Sequence, residues 1–375
     1  MVSPLDEHHG YLSLAGRSEL YDRAIGAVLR PGDTVADLGC GVGVLGLQCL
    51  DAGAAHVYGI DYSDAIELTR ETVARAGLED RYSCLRESTF RVELPERVDV
   101  VICDHIGYFG FDYGIGEMMA DARRRLLKPG GAMIPRSIDL IMAGVSSDGC
   151  RKLAQGWTGE TFREEYHWLN SYARNAKHPW LFKPEELCSQ PVRMGTIRLD
   201  SDNSDHFAMT ATLEVERDCR FDGLAGWFDC ELAEGVRMTN SPLSPEAIER
   251  NNVFLPCNEP FDAAAGDLIE VDLRFRDDGE MIAWSVTPAN GGAKQSMSTW
   301  KSKILTQADM VADSAKPLSL NRIGEARKAV LKLVDGKRTA AEIEEAVLAD
   351  HADLFPTAEE WRRFLRHELG NCVKW

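Results

Sequence analysis

Three things are scarce in this sequence. None of the ten cysteines belongs to a Cys-x-x-Cys pair, and their scattered spacing suits neither a zinc cage nor a disulfide framework. Free thiols and a reducing, cytoplasmic setting are expected. Basic residues are in deficit: 42 Lys plus Arg stand against 60 Asp plus Glu, a formal charge of −18. That balance argues against a nucleic-acid partner, since binding a polyanion relies on neutralising phosphates. Long apolar runs are missing too, so no membrane-spanning segment is expected, and the N-terminus shows no signal-peptide pattern. The histidines lack metal-ligand spacing, so no metal site is expected. Against these absences, an apolar content of 44% is enough for a real core. At roughly 150 residues per domain, 375 residues suggest two or three domains.

The chain reads in three stretches. Up to about residue 135, short strands (34–38, 56–61, 82–85, 98–103) alternate with helical spacing (18–29, 44–52, 63–76), as in a doubly wound parallel sheet. Residues 136–290 turn to strand-like alternation, interrupted by an aromatic, helix-like insertion at 151–187. Residues 287–317 look like a polar linker. From 318 to 375 three amphipathic helices are predicted, at 322–334, 339–349 and 357–369. Gly336 ends the first, and Thr339 with Glu342 makes a capping box for the second. The phrase Leu333-Val334-Asp335-Gly336-Lys337-Arg338-Thr339 is similar to small winged-helix modules.

Val35-Ala36-Asp37-Leu38-Gly39-Cys40-Gly41-Val42-Gly43 is the strongest local signal. Glycines there turn strand into helix and let a ligand approach the backbone without meeting a Cβ. Asp61, at the end of the next strand, can accept from both hydroxyls of a ribose. The third glycine falls at 43, where a dinucleotide fingerprint would need one at 44. The GxGxG form after Asp37 is what S-adenosylmethionine enzymes of the doubly wound class look like. Asp37, Gly39, Gly41, Gly43 and Asp61 are the expected cofactor-binding residues, with Tyr62, Ser88 and Thr89 beside them.

Beyond this motif the chain resembles the protein arginine methyltransferase family, over roughly 8–286. Arg17-Ser18-Glu19-Leu20-Tyr21-Asp22-Arg23-Ala24-Ile25 is similar to the family's N-terminal helix, whose arginine grips the cofactor carboxylate; Arg17 is the match. Glu93-Leu94-Pro95, Asp104-His105-Ile106-Gly107-Tyr108-Phe109 and Leu127-Lys128-Pro129-Gly130-Gly131-Ala132-Met133-Ile134-Pro135 follow three further family motifs. The resemblance implies a class I methyltransferase domain followed by a β-barrel domain, and a homodimer made through a helical arm at 151–187. His8 and His9 stand where the family has one histidine near the cofactor.

The sequence departs from the family at the acceptor site. The family's two loop glutamates become Asp104 and Tyr113, with Asp112 adjacent. Its Thr-His-Trp loop is replaced by Ala247-Ile248-Glu249. A planar guanidinium is best gripped by paired carboxylates. The expectation from these losses is S-adenosylmethionine-dependent methylation of a small nitrogenous or aromatic metabolite, of alkaloid or indole type. Protein or peptide arginine methylation is the first alternative, and an inactive cofactor-binding scaffold the second. Asp104, His105, Tyr108 and Tyr113 are the catalytic candidates, His105 because an imidazole titrates near neutrality. Tyr11, Phe109, Phe111 and Asp112 are expected to touch the substrate. Trp157, Tyr166 and Trp168 could either join them or pack a dimer interface.

Overall fold

The computed structural model describes all residues except 1–3, 15, 159–161, 205, 277–278, 280, 290, 307–308, 310–316 and 374–375. The chain divides into two compact units, Met1–Lys303 and Ile304–Trp375.

The first unit opens with α1 (Pro4–Leu12) and α2 (Arg17–Val28). A parallel sheet then forms from β1 (Thr34–Leu38), β2 (His56–Ile60), β3 (Tyr82–Leu85), β4 (Val98–Cys103) and β5 (Leu127–Ile134) in the order β3-β2-β1-β4-β5. Strands β1, β2 and β4 are almost wholly buried, which is why they read as continuous apolar runs without alternation. The helices α3 (Val44–Asp51), α4 (Ala65–Ala76) and α5 (Ile115–Arg125) connect them. On α2, Tyr21, Ala24 and Ile25 share the buried face at helical spacing. Strand order reverses between β1 and β4, and in open α/β sheets the crevice beyond the strands' carboxyl ends at such a switch is where ligands bind.

After β5 the chain becomes antiparallel. Strands β6 (Ser137–Val145), β7 (His178–Trp180), β8 (Val192–Arg198), β10 (Cys219–Ala233) and β12 (Asn252–Ala263) form a sheet ordered β7-β12-β10-β6-β8, with β11 (Val236–Thr239) paired to β10. A second sheet is ordered β15-β14-β13-β9, from β9 (His206–Glu214), β13 (Leu268–Arg276), β14 (Ile282–Thr287) and β15 (Gln295–Ser298). Their inward residues, among them Leu213, Phe221, Ile269, Leu273 and Trp284, share one core with the parallel sheet. The fold class read from the sequence therefore holds for this unit.

Three expectations are corrected. The stretch 151–187 is less helical than read: α6 (Asp148–Gln155) and the one-turn α7 (Leu169–Ala173) are followed by β7, an edge strand on β12. Part of 287–317 is sheet, because β15 pairs with β14 from Gln295 to Ser298; residues 290, 307–308 and 310–316 of that predicted linker lie outside the described residues. In the second unit, α8 (Arg322–Leu333), α9 (Ala340–Asp350) and α10 (Ala358–Cys372) surround Trp361, Val330 and Val347. No strand, and so no wing, occurs among its described residues. The link after α8 is spent on a tight turn in which Asp335 accepts from the N–H groups of Lys337 and Arg338. The predicted capping box of Thr339 and Glu342 is present.

Candidate active site

The carboxyl ends of β1, β2 and β4 converge on a cavity of about 600 Å³, within the size range of small-ligand sites. Its walls bring together residues far apart in the chain: His8 and Tyr11 from α1, Arg17 from α2, Asp37 near the end of β1, Gly39 and Gly41 after it, Asp61 and Tyr62 after β2, Asp104, His105 and Tyr113 after β4, and Arg250.

Backbone geometry builds the first wall. Gly39 and Gly41 have φ of 64° and 54°, where an L side chain is strained. Space excludes one as well: a Cβ on Gly39 would overlap His105 Cε1, and one on Gly41 would lie 2.6 Å from His8 Cε1. Asp61 stands at the lip. Its Oδ2 accepts from Gly41 N at 2.9 Å, and its Oδ1 accepts from Ser63 N at 2.8 Å and Ser63 Oγ at 2.6 Å. These bonds fix the carboxylate while leaving lone pairs facing the cavity. Asp37 is fully buried and, among the described residues, accepts only from Gly46 N, at 2.9 Å. Burial, with the nearby charges of Asp61 and Asp104, pushes its carboxyl up to about 7.

The second wall is electrostatically different. Arg17 Nε donates to Asp104 Oδ2 at 2.8 Å, Arg17 Nη2 pairs with the same oxygen, and Tyr21 Oη donates to Oδ1 at 2.7 Å. Arg17 thus sits on the proposed acceptor residue, where the resemblance assigned it to the cofactor carboxylate. Tyr21 was missed in the sequence, although its spacing of one helical turn from Arg17 puts both on one face. Burial holds the Tyr21 phenol well above its ordinary value, so it remains a donor. His105 lies against Gly39, with Nδ1 3.5 Å from Cys103 Sγ. Burial lowers its imidazole below the usual range despite Asp104 and Asp61, so it is neutral at pH 7.

Several expected site residues serve elsewhere. Phe109 and Phe111 are 0% and 1% exposed. Phe111 stacks on Phe275 at 3.9 Å, and Phe275 on Phe207 at 4.7 Å, so these rings fasten the loop after β4 into the antiparallel domain. Asp112 is turned inward: it accepts from the N–H groups of Tyr108 and Phe109 at 3.0 and 2.5 Å and pairs with Lys177 at 2.7 Å. Tyr108 lies under Lys177, away from the cavity. In this tight loop the Asp112 carboxylate satisfies two backbone N–H groups, which turns it away from the cavity. Asn240 Nδ2 donates to Tyr108 O at 2.8 Å and holds the same loop from the far side. Ser88 and Thr89 also stand outside this cavity; Thr89 O accepts from Arg125. Trp157 packs on Phe162 and Trp168 on Tyr172, likewise outside it. Tyr62 does line the cavity but is 80% exposed. Arg250 was missed, and no spacing in its loop announces it.

These residues fit an adenosyl amino-acid cofactor: a carboxylate for the ribose, a backbone turn that a Cβ would fill, and cations at the other end. No group of three or more His, Cys, Asp or Glu able to hold a metal occurs among the described residues. Among the same residues, no helix is long and apolar enough to cross a membrane.

A family model described as a methyltransferase domain matches residues 35–131. "Probable protein arginine N-methyltransferase 6" of Arabidopsis thaliana is 37% identical over 141 residues, 37% of this chain and 32% of that protein. Protein arginine N-methyltransferase 6 of Xenopus laevis is 27% identical over 182 residues, 45% of this chain and 52% of that one. This chain therefore spans about a third to a half of the length of these curated relatives. A solved structure, the Trypanosoma brucei PRMT1 enzyme-prozyme heterotetrameric complex with AdoHcy, superposes with a TM-score of 0.69 at 20% identity, covering 78% of this chain and 97% of that one. The chain is thus similar to the protein arginine methyltransferases in sequence and has their fold, with a class I methyltransferase domain followed by an antiparallel barrel-like domain. Relatives named for arginine methylation overturn the expectation of a small alkaloid or indole substrate.

Proposed function

We propose that this protein is an S-adenosylmethionine-dependent methyltransferase whose acceptor is an arginine guanidinium of a protein or peptide. One observation carries the reading beyond the relatives' names: Asp104 presents a carboxylate, oriented by Arg17 and Tyr21, in the cavity whose other end is the glycine turn and Asp61. A carboxylate oxygen accepts a guanidinium N–H in a charge-assisted bond, and orienting the lone pair of the attacking nitrogen is the main task of the acceptor site.

S-adenosylmethionine, when bound, supplies an electrophilic methyl for in-line displacement. Gly39, Gly41 and Asp61 would hold its nucleoside end. On the acceptor side Asp104 orients the guanidinium, and the Tyr113 hydroxyl offers a second oxygen where the family pattern has a carboxylate. The nitrogen must lose a proton as it is methylated. On the acceptor side of the cavity Asp104 and neutral His105 are able to take it. A homodimer is part of the same proposal, through the 151–187 region. A cytoplasmic setting also belongs to it, supported by ten free cysteines.

Incubation of the full chain with S-adenosylmethionine and an Arg-Gly-rich peptide, read by mass spectrometry, tests the reading. Methyl should appear on arginine, and Asp104→Asn should lower turnover by about 10²-fold or more. Methyl found only on another residue type, or unimpaired turnover in Asp104→Asn, would overturn it.

A further inference from the structure

Two loops supply walls of the cavity: the one after β4, with Asp104, His105 and Tyr113, and the one between β11 and β12, with Arg250. The second loop leaves the sheet on one side of β10 and returns on the other. β10 pairs with β11 as far as Asp229 and Thr239, and with β12 as far as Gly226 and Val253. Asn240 and Asn252 are the next residues beyond those two ladders, so they form the feet of the loop. They are 3% and 1% exposed. Asn240 Oδ1 accepts from Phe228 N at 3.0 Å, and Asn252 Nδ2 donates to Asn240 O at 2.6 Å. Asn240 Nδ2 donates twice, to Asn251 O and to Tyr108 O, both at 2.8 Å. Carbonyls only accept and N–H groups only donate, so the partners fix which end of this amide is which. Three segments therefore meet on one buried side chain: the loop after β4 at Tyr108, β10 at Phe228, and the second loop at Asn251. A buried polar network satisfied in this way is rigid. The loop after β4 is also pressed onto β6 and β10: a Cβ on Gly110 would lie 2.8 Å from Ile138 Cγ2 and 3.3 Å from Phe228 Cβ. The second loop is closed at its base, where Ile248 N donates to Thr239 O at 2.9 Å.

We propose that Asn240 is a positioning residue of the acceptor site: its amide, braced by Asn252, fixes the gap between the loop that presents Asp104 and Tyr113 and the loop that presents Arg250. This rests on the arginine reading above. Asn240 lies outside the cavity lining and acts through the backbone of the two loops. In-line methyl transfer is sensitive to such placement, since a shift of about 1 Å in a reacting group can cost about 10²-fold in rate. Among the described residues Asn240 makes no hydrogen bond to Gly39, Gly41 or Asp61. Its loss should therefore be felt by the acceptor half of the cavity and not by the cofactor half.

Steady-state kinetics of the full chain with S-adenosylmethionine and an Arg-Gly-rich peptide, set beside calorimetric titration with S-adenosylhomocysteine, test this. Asn240→Ala should lower kcat about 10- to 100-fold and leave S-adenosylhomocysteine affinity unchanged. Asn252→Ala keeps the Tyr108 bond and loses the brace, together with the acceptor for Phe182 N, so kcat should fall about 3- to 10-fold. Each variant is assayed well below its melting temperature, where a purely structural bond would lower the melt and leave kcat alone. Wild-type kcat in Asn240→Ala, equal losses of cofactor affinity and turnover, or a larger loss in Asn252→Ala than in Asn240→Ala would each overturn the assignment. Should Asn240→Ala not fold, Asn252→Ala decides: slower turnover with intact S-adenosylhomocysteine binding supports the assignment, and unchanged turnover overturns it. A wild-type chain that binds S-adenosylhomocysteine but leaves the peptide unmethylated would overturn the arginine reading, and this proposal with it.

Discussion

Two turns frame the cavity, and their carboxylates are treated in opposite ways. At the carboxyl ends of β1 and β2, Asp37 and Asp61 take bonds only from N–H and hydroxyl groups and form no ion pair among the described residues. After β4, Asp104 and Asp112 each have a cation, Arg17 and Lys177. The first turn leaves negative charge for a ligand that brings hydroxyls and a sulfonium. The second settles its charges within the protein and uses them to hold shape. The difference explains how the acceptor side can carry a Tyr where the family pattern has a Glu and keep its loop in place.

Breaking the second turn should have the largest effect. Phe111 fills the space between Phe109 and Phe275, so Phe111→Ala should cost about 3–5 kcal/mol, the range for a buried Phe. Urea unfolding measures it. A loss under about 1 kcal/mol would mean that the aromatic column does not anchor the loop.

Next comes the charge stored in the first turn. Folding raises the Asp37 carboxyl to about 7 from an ordinary value near 4, chiefly by burial. Between those two values the folded state keeps a proton that the unfolded chain has released. The contribution of Asp37 to stability is therefore greatest below about pH 4, falls as pH rises to about 7, and is level above that. Asp37→Asn removes the titration and keeps an acceptor for Gly46 N. The variant should gain about 4 kcal/mol over the wild type at pH 8 and almost nothing near pH 4. A gap that stays constant from pH 4 to pH 8 would rule out a buried, titrating Asp37.

The contrast between the turns also decides what could be read in advance. Strand β1 matches the sequence reading residue for residue, and β3 and β4 do as well. Buried parallel strands and glycine turns are local events, written in apolar runs and in positions that exclude a Cβ. Asp61 was legible for the same reason, since it needs only to end the next strand. Phe109, Phe111 and Asp112 were misread because their partners, Phe275 and Lys177, lie far along the chain. An aromatic in a loop looks the same whether it faces a cavity or a second domain. The substituted Glu positions led to the wrong substrate class, because counting carboxylates in a motif ignores where they point. Asp104 still faces the cavity, and Asp112 would not have helped.

A smaller effect separates cofactor from acceptor directly. Asp61→Ala removes the carboxylate at the lip, so S-adenosylhomocysteine should bind more weakly by about 1.5–3 kcal/mol, the worth of bonds to a charged acceptor. The Gly41 N–H loses its partner in the same variant. Unchanged affinity by calorimetry would remove Asp61 from the cofactor site.

The smallest expected effect tests the position where the family pattern has its second carboxylate. Tyr113 lines the cavity and is 44% exposed, so its hydroxyl is partly in water. A neutral bond to a solvated phenol contributes about 0.5–1.5 kcal/mol net. Exposure puts Tyr113 at the low end, a factor of about 3 in kcat/KM for an arginine peptide. Tyr113→Phe should lower kcat/KM by that much and leave S-adenosylhomocysteine affinity unaltered, since the ring stays and the cofactor side is untouched. Tyr113→Glu restores the second carboxylate. With Asp104 already neutralised by Arg17, the added charge has no cation to pair with until the guanidinium arrives, so it should raise kcat/KM above the wild type. If Tyr113→Phe costs 10²-fold instead, the hydroxyl takes part in the proton transfer and the acceptor turn is chemical as well as geometric. If Tyr113→Glu is slower than the wild type, the guanidinium does not bind between residues 104 and 113, and the two turns do not divide the work as described.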